Sequence, residues 1–192
     1  MSLPDFNAGS AAADHAAASR YHLAMTDTRW KPSVTVAAVA EHEGRYLLIE
    51  EHTPEGLRLN NPAGHLDPGE SPQQAVAREC LEETACAFVP QSLLGVYLSR
   101  FVRAGQDGRP AEDVTYLRIA YAGSVGLPEP GRALDTGIVR RLWLTPDEVR
   151  ASVARHRSPL VLRCIEDHLA GRRYPLDAVG ADASVYAPGP LS

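Results

Sequence analysis

The sequence predicts an α/β domain, and two kinds of local pattern lead to that prediction. Short apolar segments with the periodicity of β-strands recur along the chain and are separated by turn residues. Other segments open with residues that cap helices and then continue with helical spacing of apolar side chains. The chain has 192 residues, which suits one domain of ordinary size with a sizeable core.

Three strands are predicted before the first helix. Val34–Ala40 has the apolar character of a buried strand, and Arg45–Glu51 is predicted to pair with it across a turn at Glu43-Gly44. Leu57–Asn61 is predicted as a short third strand. The chain then enters a loop at Pro62.

The first helix is predicted to begin after Ser71. The Ser71 side chain can cap the free backbone N–H groups, Pro72 suits the first helical position, and Gln74 completes a capping box. Glu79, Glu82 and Glu83 are expected in the last turns of this helix.

Three more strands are predicted in the second half of the chain. Leu93–Val102 and Val114–Ala122 alternate between apolar and polar residues, and they flank a polar loop at 104–113. A Pro/Gly loop is expected at 127–132, and Ile138–Leu144 is predicted as the last strand.

Two helices are predicted to close the domain. Thr145 and Glu148 form a second capping box, which opens a helix to about His156. The last helix is predicted to begin at Ser158 and to end at Ala170, just before a glycine.

Charge and cysteine content limit the classes of function. The net charge of −5 argues against a broad nucleic-acid surface, and no apolar run is long enough to span a membrane. The three cysteines do not form a paired framework, which favours a reducing cytoplasm. We therefore expect a small-molecule partner, without nucleic acid or membrane, and the oligomeric state stays open.

The composition also predicts the domain boundaries. Residues 1–24 lack a sustained apolar period and a secretory signal, so they are predicted as a flexible N-terminal extension. Whether they belong to the native protein is open, since Met25 could be the natural start. The domain is expected over 25–180, followed by an irregular tail at 181–192.

Three glutamates near the end of the first helix form an unusual acidic cluster. Glu79 precedes Glu82 by three residues and Glu83 by four, so all three share one helix face. Like charges repel at this spacing, and the C-terminal end of a helix disfavours carboxylates. A divalent cation would neutralise them, and oxygen ligands favour Mg²⁺ or Mn²⁺. The alternative is a solvated acidic face.

The stretch from residue 64 to 86 resembles the Nudix box, the motif of the Nudix hydrolases. The matching positions are Gly64, Glu70, Arg78, Glu79, Glu82 and Glu83. Ala85 is the exception, because the family has glycine there. Alanine at this position should either cost about 1 kcal/mol in a left-handed helix end or lengthen the helix. The resemblance implies a Nudix fold, an α/β/α sandwich with a mixed β-sheet.

The resemblance also implies Mg²⁺-dependent hydrolysis of a phosphoanhydride, with Mn²⁺ as a possible replacement. It assigns the metal-binding and catalytic roles to Glu79, Glu82 and Glu83, and one glutamate or a loop acid would accept a proton from water. The backbone carbonyl of Ala63 maps to a further metal ligand, with plain loop packing as the alternative. Loop shaping is implied for Gly64, Glu70 and Arg78.

Residues outside the box are candidates for substrate binding. Arg118 lies in an otherwise apolar predicted strand, where it could face phosphate groups or form a buried ion pair. Asp135 precedes the last strand, where the family sometimes has an acid that activates water. Glu112 and Asp113 could supply another acid or could simply be loop surface.

Four further segments resemble one bacterial branch of the family, at 31–36, 61–66, 157–161 and 171–176. That branch consists of phosphatases, which implies release of phosphate from nucleoside di- and triphosphates or from hydroxymethylpyrimidine pyrophosphate. The alternatives are an ADP-ribose or nucleotide-sugar pyrophosphatase, a non-catalytic nucleotide-sensing domain, and an isomerase of isopentenyl diphosphate. The chain lacks a proline between Pro90 and Pro110 that many ADP-sugar pyrophosphatases carry.

Overall fold

Seven β-strands form a mixed sheet in the computed structural model, which describes residues 30–105 and 111–187. The strands are β1 (Ser33–His42), β2 (Arg45–Thr53), β3 (Gly56–Asn60), β4 (Ala63–His65), β5 (Cys86–Arg103), β6 (Glu112–Pro128) and β7 (Ile138–Leu144). Their order is β3-β2-β1-β6-β5, with β4 also paired to β1 and β7 to β2. β1 and β6 run parallel and the other pairs are antiparallel, so the predicted mixed sheet is confirmed.

The described helices are α1 (Pro72–Thr84), α2 (Pro146–Ala151) and α3 (Leu160–Leu169), with 3₁₀ turns at Val153–Arg155, Leu176–Ala178 and Ala183–Tyr186. The helix that was predicted to reach His156 ends earlier. Its last part is a 3₁₀ turn, because the backbone leaves the helical conformation at Ser152.

The capping box that the sequence predicts determines where α1 begins. The backbone N–H of Gln74 donates to Ser71 Oγ at 3.2 Å, and the Ser71 N–H donates to Gln74 Oε1 at 2.8 Å. At the other end, Ala85 adopts a left-handed conformation with φ of 58°. The helix therefore ends where the Nudix box has its glycine, although alanine stands there.

The two faces of β1 pack against different helices, which produces the predicted sandwich. Successive side chains of a strand point to opposite faces of the sheet. One core includes Val36, Ala38, Ala40, Ala75, Val76 and Cys80, and thus joins the sheet to α1. The other includes Ala37, Val39, Val149, Val161, Cys164 and Ile165, and joins the sheet to α2 and α3. The α/β/α arrangement is confirmed.

Two stretches predicted as loops form strands instead. Ala63–His65 is the strand β4, because it pairs with β1 through Thr35 opposite His65 and Ala37 opposite Ala63. β6 extends to Pro128, so the loop expected from Leu127 starts later. The Ala63–His65 segment is short, and the end of β6 contains glycine and proline. Each segment becomes a β-strand only because it pairs with a neighbouring strand.

The chain termini are only partly described. The predicted extension at 1–24 lies outside the described residues, as do 188–192 of the predicted tail. Between residues 30 and 187, apart from 106–110, no helix has both the length and the apolar character required to cross a bilayer.

A buried carboxylate, Glu50 on β2, holds two outer elements against the sheet. Arg140 on β7 donates from Nε to Glu50 Oε2 at 2.7 Å, and Arg155 of the 3₁₀ turn pairs with the other carboxylate oxygen. The hydrogen bond from Arg140 lowers the Glu50 pKa, and burial opposes it only in part. Glu50 therefore stabilises the fold in its ionised form.

We predict that Glu50→Gln lowers the free energy of unfolding at pH 7 by about 1.5–3 kcal/mol, the range for hydrogen bonds to charged groups. Because the folded-state pKa is lowered, the contribution of Glu50 is present above its ordinary pKa of 4.5 and is lost as the pH falls through the folded-state value. Denaturant unfolding at pH 7 and at about pH 3 should therefore show a smaller difference for the variant than for the wild type. Glu166→Gln, which removes an exposed pair with Arg150, is the control and should change little. Equal effects of the two substitutions would contradict the role of Glu50.

We predict that Ala85→Gly raises the free energy of unfolding by about 0.5 kcal/mol, because glycine adopts a positive φ without strain. The loss of a buried methyl group offsets part of the gain. Ala75→Gly in the middle of α1 is the matched control and should lower stability by about 1 kcal/mol or more. Equal destabilisation by both substitutions in denaturant unfolding would show that the Ala85 backbone carries no strain.

Candidate active site

The acidic face of α1 is mostly buried, not solvated. Glu79 and Glu83 are only 9% and 8% exposed, and the Glu82 side chain is 32% exposed. The helix packs against β1 and β4, and this packing removes two of the three carboxylates from water. The solvated-face alternative therefore does not describe Glu79 and Glu83.

Close packing between β4 and α1 sets the position of two glutamates. A Cβ atom added at Gly64 would lie 2.1 Å from the carboxyl carbon of Glu79, so only glycine allows this approach. The backbone N–H of Ala63 donates to Glu83 Oε2 at 2.8 Å. Adjacent residues of β4 thus contact Glu79 and Glu83.

Arg78 links the loop before α1 to the glutamates on the helix. Its Nε and Nη2 atoms donate to the two carboxylate oxygens of Glu70, at 3.0 and 2.6 Å. Its Nη1 atom donates to Glu79 at 2.7 Å and to Glu82 at 3.1 Å. The hydrogen bonds from Arg78 lower the pKa of Glu70. The pairing of Glu70 with Arg78 thus connects the loop before α1 to the helix.

Two of the buried carboxyl groups, those of Glu79 and Glu83, are costly to ionise in the metal-free protein. Burial raises the pKa of Glu83 to about 8, and the charges of Glu79, Glu51 and Asp135 add to the rise. Burial also raises the pKa of Glu79, although Arg78 opposes this effect. A cation placed among these groups would offset the cost of burying them.

The donor chemistry of this cluster fits a divalent cation. Glu79 and Glu82 each present an oxygen to the same nitrogen of Arg78, so their carboxylates already lie close together. Within 30–105 and 111–187, no three acidic, histidine or cysteine side chains are yet arranged as metal ligands. A bound cation would take the oxygens that now face Arg78 Nη1, and hard oxygen donors suit Mg²⁺ or Mn²⁺.

Asp135 lies on an exposed loop beside the end of α1. Its backbone N–H donates to the carbonyl oxygen of Glu82 at 3.1 Å, which ties the β6–β7 loop to the helix. Its carboxylate is close enough to contribute to the raised pKa values of Glu79 and Glu83. The structure therefore brings Asp135 to the acidic cluster.

A cavity of about 610 Å³ opens beside β4. Ala63, Gly64 and His65 line it, and two of these residues, Ala63 and Gly64, also contact Glu83 and Glu79 of the acidic cluster. Arg118 lies within it, is only 7% exposed, and has no hydrogen-bond partner for Nη1 among the described residues. The predicted alternative of a buried ion pair is not what the structure shows for Arg118.

Glu112 and Asp113 lie at the start of β6 and are not loop residues. Arg103 pairs with Glu112 at 2.8 Å, and Arg100 pairs with Asp113 at 2.7 Å. These ion pairs hold β5 and β6 together at the outer end of the cavity. Neither acid contributes to the shifted pKa values of Glu79 and Glu83.

Sequence reasoning missed three residues that β1, β2 and β3 bring to the cavity. Glu51 lines it and acts on the charge of Glu83, and Thr35 and Asn60 are buried there. The pair Glu50-Glu51 carried a usable signal, since adjacent strand residues face opposite sides. The sequence could not show which of the two faces the site.

A family model for the NUDIX domain matches residues 29–164. The matched region contains the acidic cluster, β4 and the cavity strands. The chain belongs to the Nudix family. It is a Nudix phosphohydrolase by its family and by its relatives.

The relatives of this Nudix hydrolase include the Phosphatase NudJ of Escherichia coli K12. The two are 34% identical over 151 residues, which cover 79% of this chain and 92% of that protein. A NUDIX hydrolase from Nitrosomonas europaea is 51% identical, with a TM-score of 0.70, over 79% of this chain and 98% of that one. A MutT NUDIX hydrolase from Burkholderia pseudomallei, 21% identical with a TM-score of 0.56 over 72% and 98% of the two chains, shares the fold.

We predict that Gly64→Ala weakens Mg²⁺ activation by about tenfold, as is typical when groups that position metal ligands are changed. The new methyl group would displace the Glu79 carboxylate, whose flexible side chain can move without unfolding the protein. Gly126→Ala is the control, since the nearest atom would be 3.9 Å away. The measurement is hydrolysis as a function of Mg²⁺ concentration, with thermal unfolding in parallel. Unchanged Mg²⁺ dependence in the Gly64 variant would show that Glu79 does not need its present position.

Proposed function

We propose that this enzyme catalyses Mg²⁺-dependent hydrolysis of phosphoanhydride bonds in nucleoside di- or triphosphates, or in hydroxymethylpyrimidine pyrophosphate, and releases phosphate. The observation that carries the proposal is the cluster of Glu79, Glu82 and Glu83 beside Gly64. Two of these carboxylates are desolvated without a full complement of cations. Such a cluster is costly unless a bound cation offsets it.

In this proposal the glutamates of α1 hold the metal, and the backbone of Ala63 lies beside it. When bound, Mg²⁺ supplies Lewis acidity toward the phosphoanhydride and lowers the pKa of a water molecule. Arg78 keeps the loop of Glu70 against the helix and balances part of the charge. One of the glutamates, or Asp135, accepts the proton from the attacking water.

The substrate is proposed to occupy the cavity beside β4. Its phosphoanhydride would lie where Ala63 and Gly64 meet the acidic cluster, and Arg118 would contact the substrate further inside. The name of the E. coli relative supports release of phosphate, and this chain spans nearly all of that relative. Recognition of a particular base or leaving group depends on the residues that line the rest of the cavity.

The proposed setting is the cytoplasm, with Mg²⁺ as cofactor and Mn²⁺ as a substitute. Cys80, Cys86 and Cys164 are free and buried, which supports a reducing compartment. The net charge of −5 supports a small-molecule substrate over a nucleic acid.

We predict that Glu82→Gln lowers Mg²⁺-dependent phosphate release by about a hundredfold or more, because it removes a charged metal ligand. The side-chain volume hardly changes, so thermal unfolding should stay close to that of the wild type. Glu129→Gln is the control, since the Glu129 side chain is exposed and pairs with Arg132. The assay measures orthophosphate and pyrophosphate released from nucleoside di- and triphosphates, ADP-ribose and hydroxymethylpyrimidine pyrophosphate.

The products in this assay separate the proposed reaction from its alternatives. Orthophosphate release that requires Mg²⁺ supports the phosphatase activity. Cleavage of ADP-ribose to two monophosphates would favour the pyrophosphatase alternative. Near-normal turnover by the Glu82 variant would refute the metal assignment.

A further inference from the structure

The cavity beside β4 contains a buried arginine, Arg118, that forms no ion pair with the described residues. Arg118 is almost completely buried, and burial lowers its pKa from the ordinary value. Its Nη1 atom has no hydrogen-bond partner among the described residues. The charges of Glu51 and Glu83 act on the guanidinium, but neither carboxylate forms an ion pair with it. Burying a guanidinium without a counter-charge is strongly unfavourable. Such a group marks a place where an anion would be bound.

The other charges of the cavity show that this anion is not supplied by a nearby side chain. Glu51 pairs with Arg157 at 2.7 Å, and Arg103 pairs with both Glu55 and Glu112. Each carboxylate that lines the cavity thus already has a cationic partner. The cavity therefore holds an excess of positive charge when it contains no ligand.

A second donor lies next to Arg118 on the adjacent strand. Thr35 on β1 is the register partner of Arg118 on the parallel strand β6, and of His65 on β4. Partners in register point to the same face of the sheet, so the three side chains form a row across it. The Thr35 hydroxyl is buried and also has no hydrogen-bond partner among the described residues.

This row ends on β4, whose opposite face contacts the acidic cluster. His65 and Ala63 are on the cavity face of β4, while Gly64 between them contacts Glu79 on the other face. A molecule with two linked phosphates could thus place one of them at the edge of β4 and the other deeper in the cavity. Asn60 is not a third donor of this row. Its side-chain nitrogen donates to Glu51, and its side-chain oxygen can only accept.

We propose that Arg118 and Thr35 form a subsite for a phosphoryl group of the substrate other than the one held at the glutamates. This inference rests on the proposed function, because it assigns the second phosphate of the same substrate. The planar guanidinium can donate two parallel hydrogen bonds to phosphate oxygens, and the Thr35 hydroxyl can donate a third. Arg118 is therefore a substrate-binding residue, and its contact with a second phosphoryl group favours di- and triphosphates over phosphate monoesters.

The test is binding of inorganic phosphate and pyrophosphate to the full chain in EDTA, measured by calorimetry and by the thermal shift that each anion produces. Arg118→Met keeps the length and apolar stem of the side chain but removes its charge. We expect it to weaken pyrophosphate binding by about tenfold or more. Without ligand it should be as stable as the wild type or more stable, because an unpaired buried charge has been removed.

The matched control is Arg100→Met. Arg100 also lines the cavity, but its side chain is 64% exposed and is paired with Asp113. This variant should bind pyrophosphate within about twofold of the wild type, since an exposed and paired charge contributes little. Arg118→Lys should retain part of the affinity, because it keeps the charge but loses the planar donor pair.

Three results would overturn the proposal. They are unchanged pyrophosphate affinity of Arg118→Met, equal losses in the Arg100 and Arg118 variants, and marked destabilisation of Arg118→Met without ligand. The last would show that Arg118 serves the fold. These readouts need neither metal nor turnover, so they can fail while Mg²⁺-dependent hydrolysis stands. Conversely, wild-type protein that hydrolyses nothing could still bind pyrophosphate through Arg118.

Discussion

The contact between β4 and the carboxylate of Glu79 is the constraint on which the site depends. Gly64 lets the strand approach α1 so closely that no side chain fits between them. The same approach brings the Ala63 N–H to Glu83. Ala63 and Gly64 both line the cavity. Close packing thus buries the carboxyl groups of Glu79 and Glu83, and burial makes their ionisation unfavourable unless a cation lies nearby. A looser contact would leave an ordinary solvated acidic helix face.

Arg78 makes this charge tolerable in the absence of a metal. It bridges Glu70 to the helix and shares one nitrogen between Glu79 and Glu82. One guanidinium serves several carboxylates, so the cluster is held together but remains under-neutralised. On the cavity side the situation is reversed, because Arg118 forms no ion pair with a carboxylate of the described residues. In the proposed function, the metal would bring a cation to the glutamates and the phosphorylated substrate would bring anions to Arg118.

Local sequence rules were sufficient where short-range interactions decide the structure. The capping box of Ser71 and Gln74 fixed the start of α1, and the strand pattern located the central strands. The spacing of the glutamates placed them on one helix face. The Nudix fold and its mixed sheet followed from the box, whose residues share one short segment.

Features that depend on contacts between distant segments could not be predicted from local sequence rules. β4 is three residues long, and only pairing with β1 makes it a strand. The burial of Glu50 and the exposure of Glu51 to the cavity depend on where β3 and β7 pack. Arg118 was singled out for its place in an apolar strand, but its lack of a partner follows from the three-dimensional pairing of the other arginines. Charge balance in a cavity is a property of the fold and not of any segment.

The most direct test of the central claim is Mn²⁺ binding, followed by electron paramagnetic resonance, in the wild type and in a variant with Glu79, Glu82 and Glu83 all changed to Gln. The account predicts that the wild type binds Mn²⁺, that Mg²⁺ displaces it, and that the folded variant does not bind it. Equal Mn²⁺ binding by both proteins would contradict the account. In that case the buried glutamates would be a structural feature, and the metal of any hydrolysis would lie elsewhere.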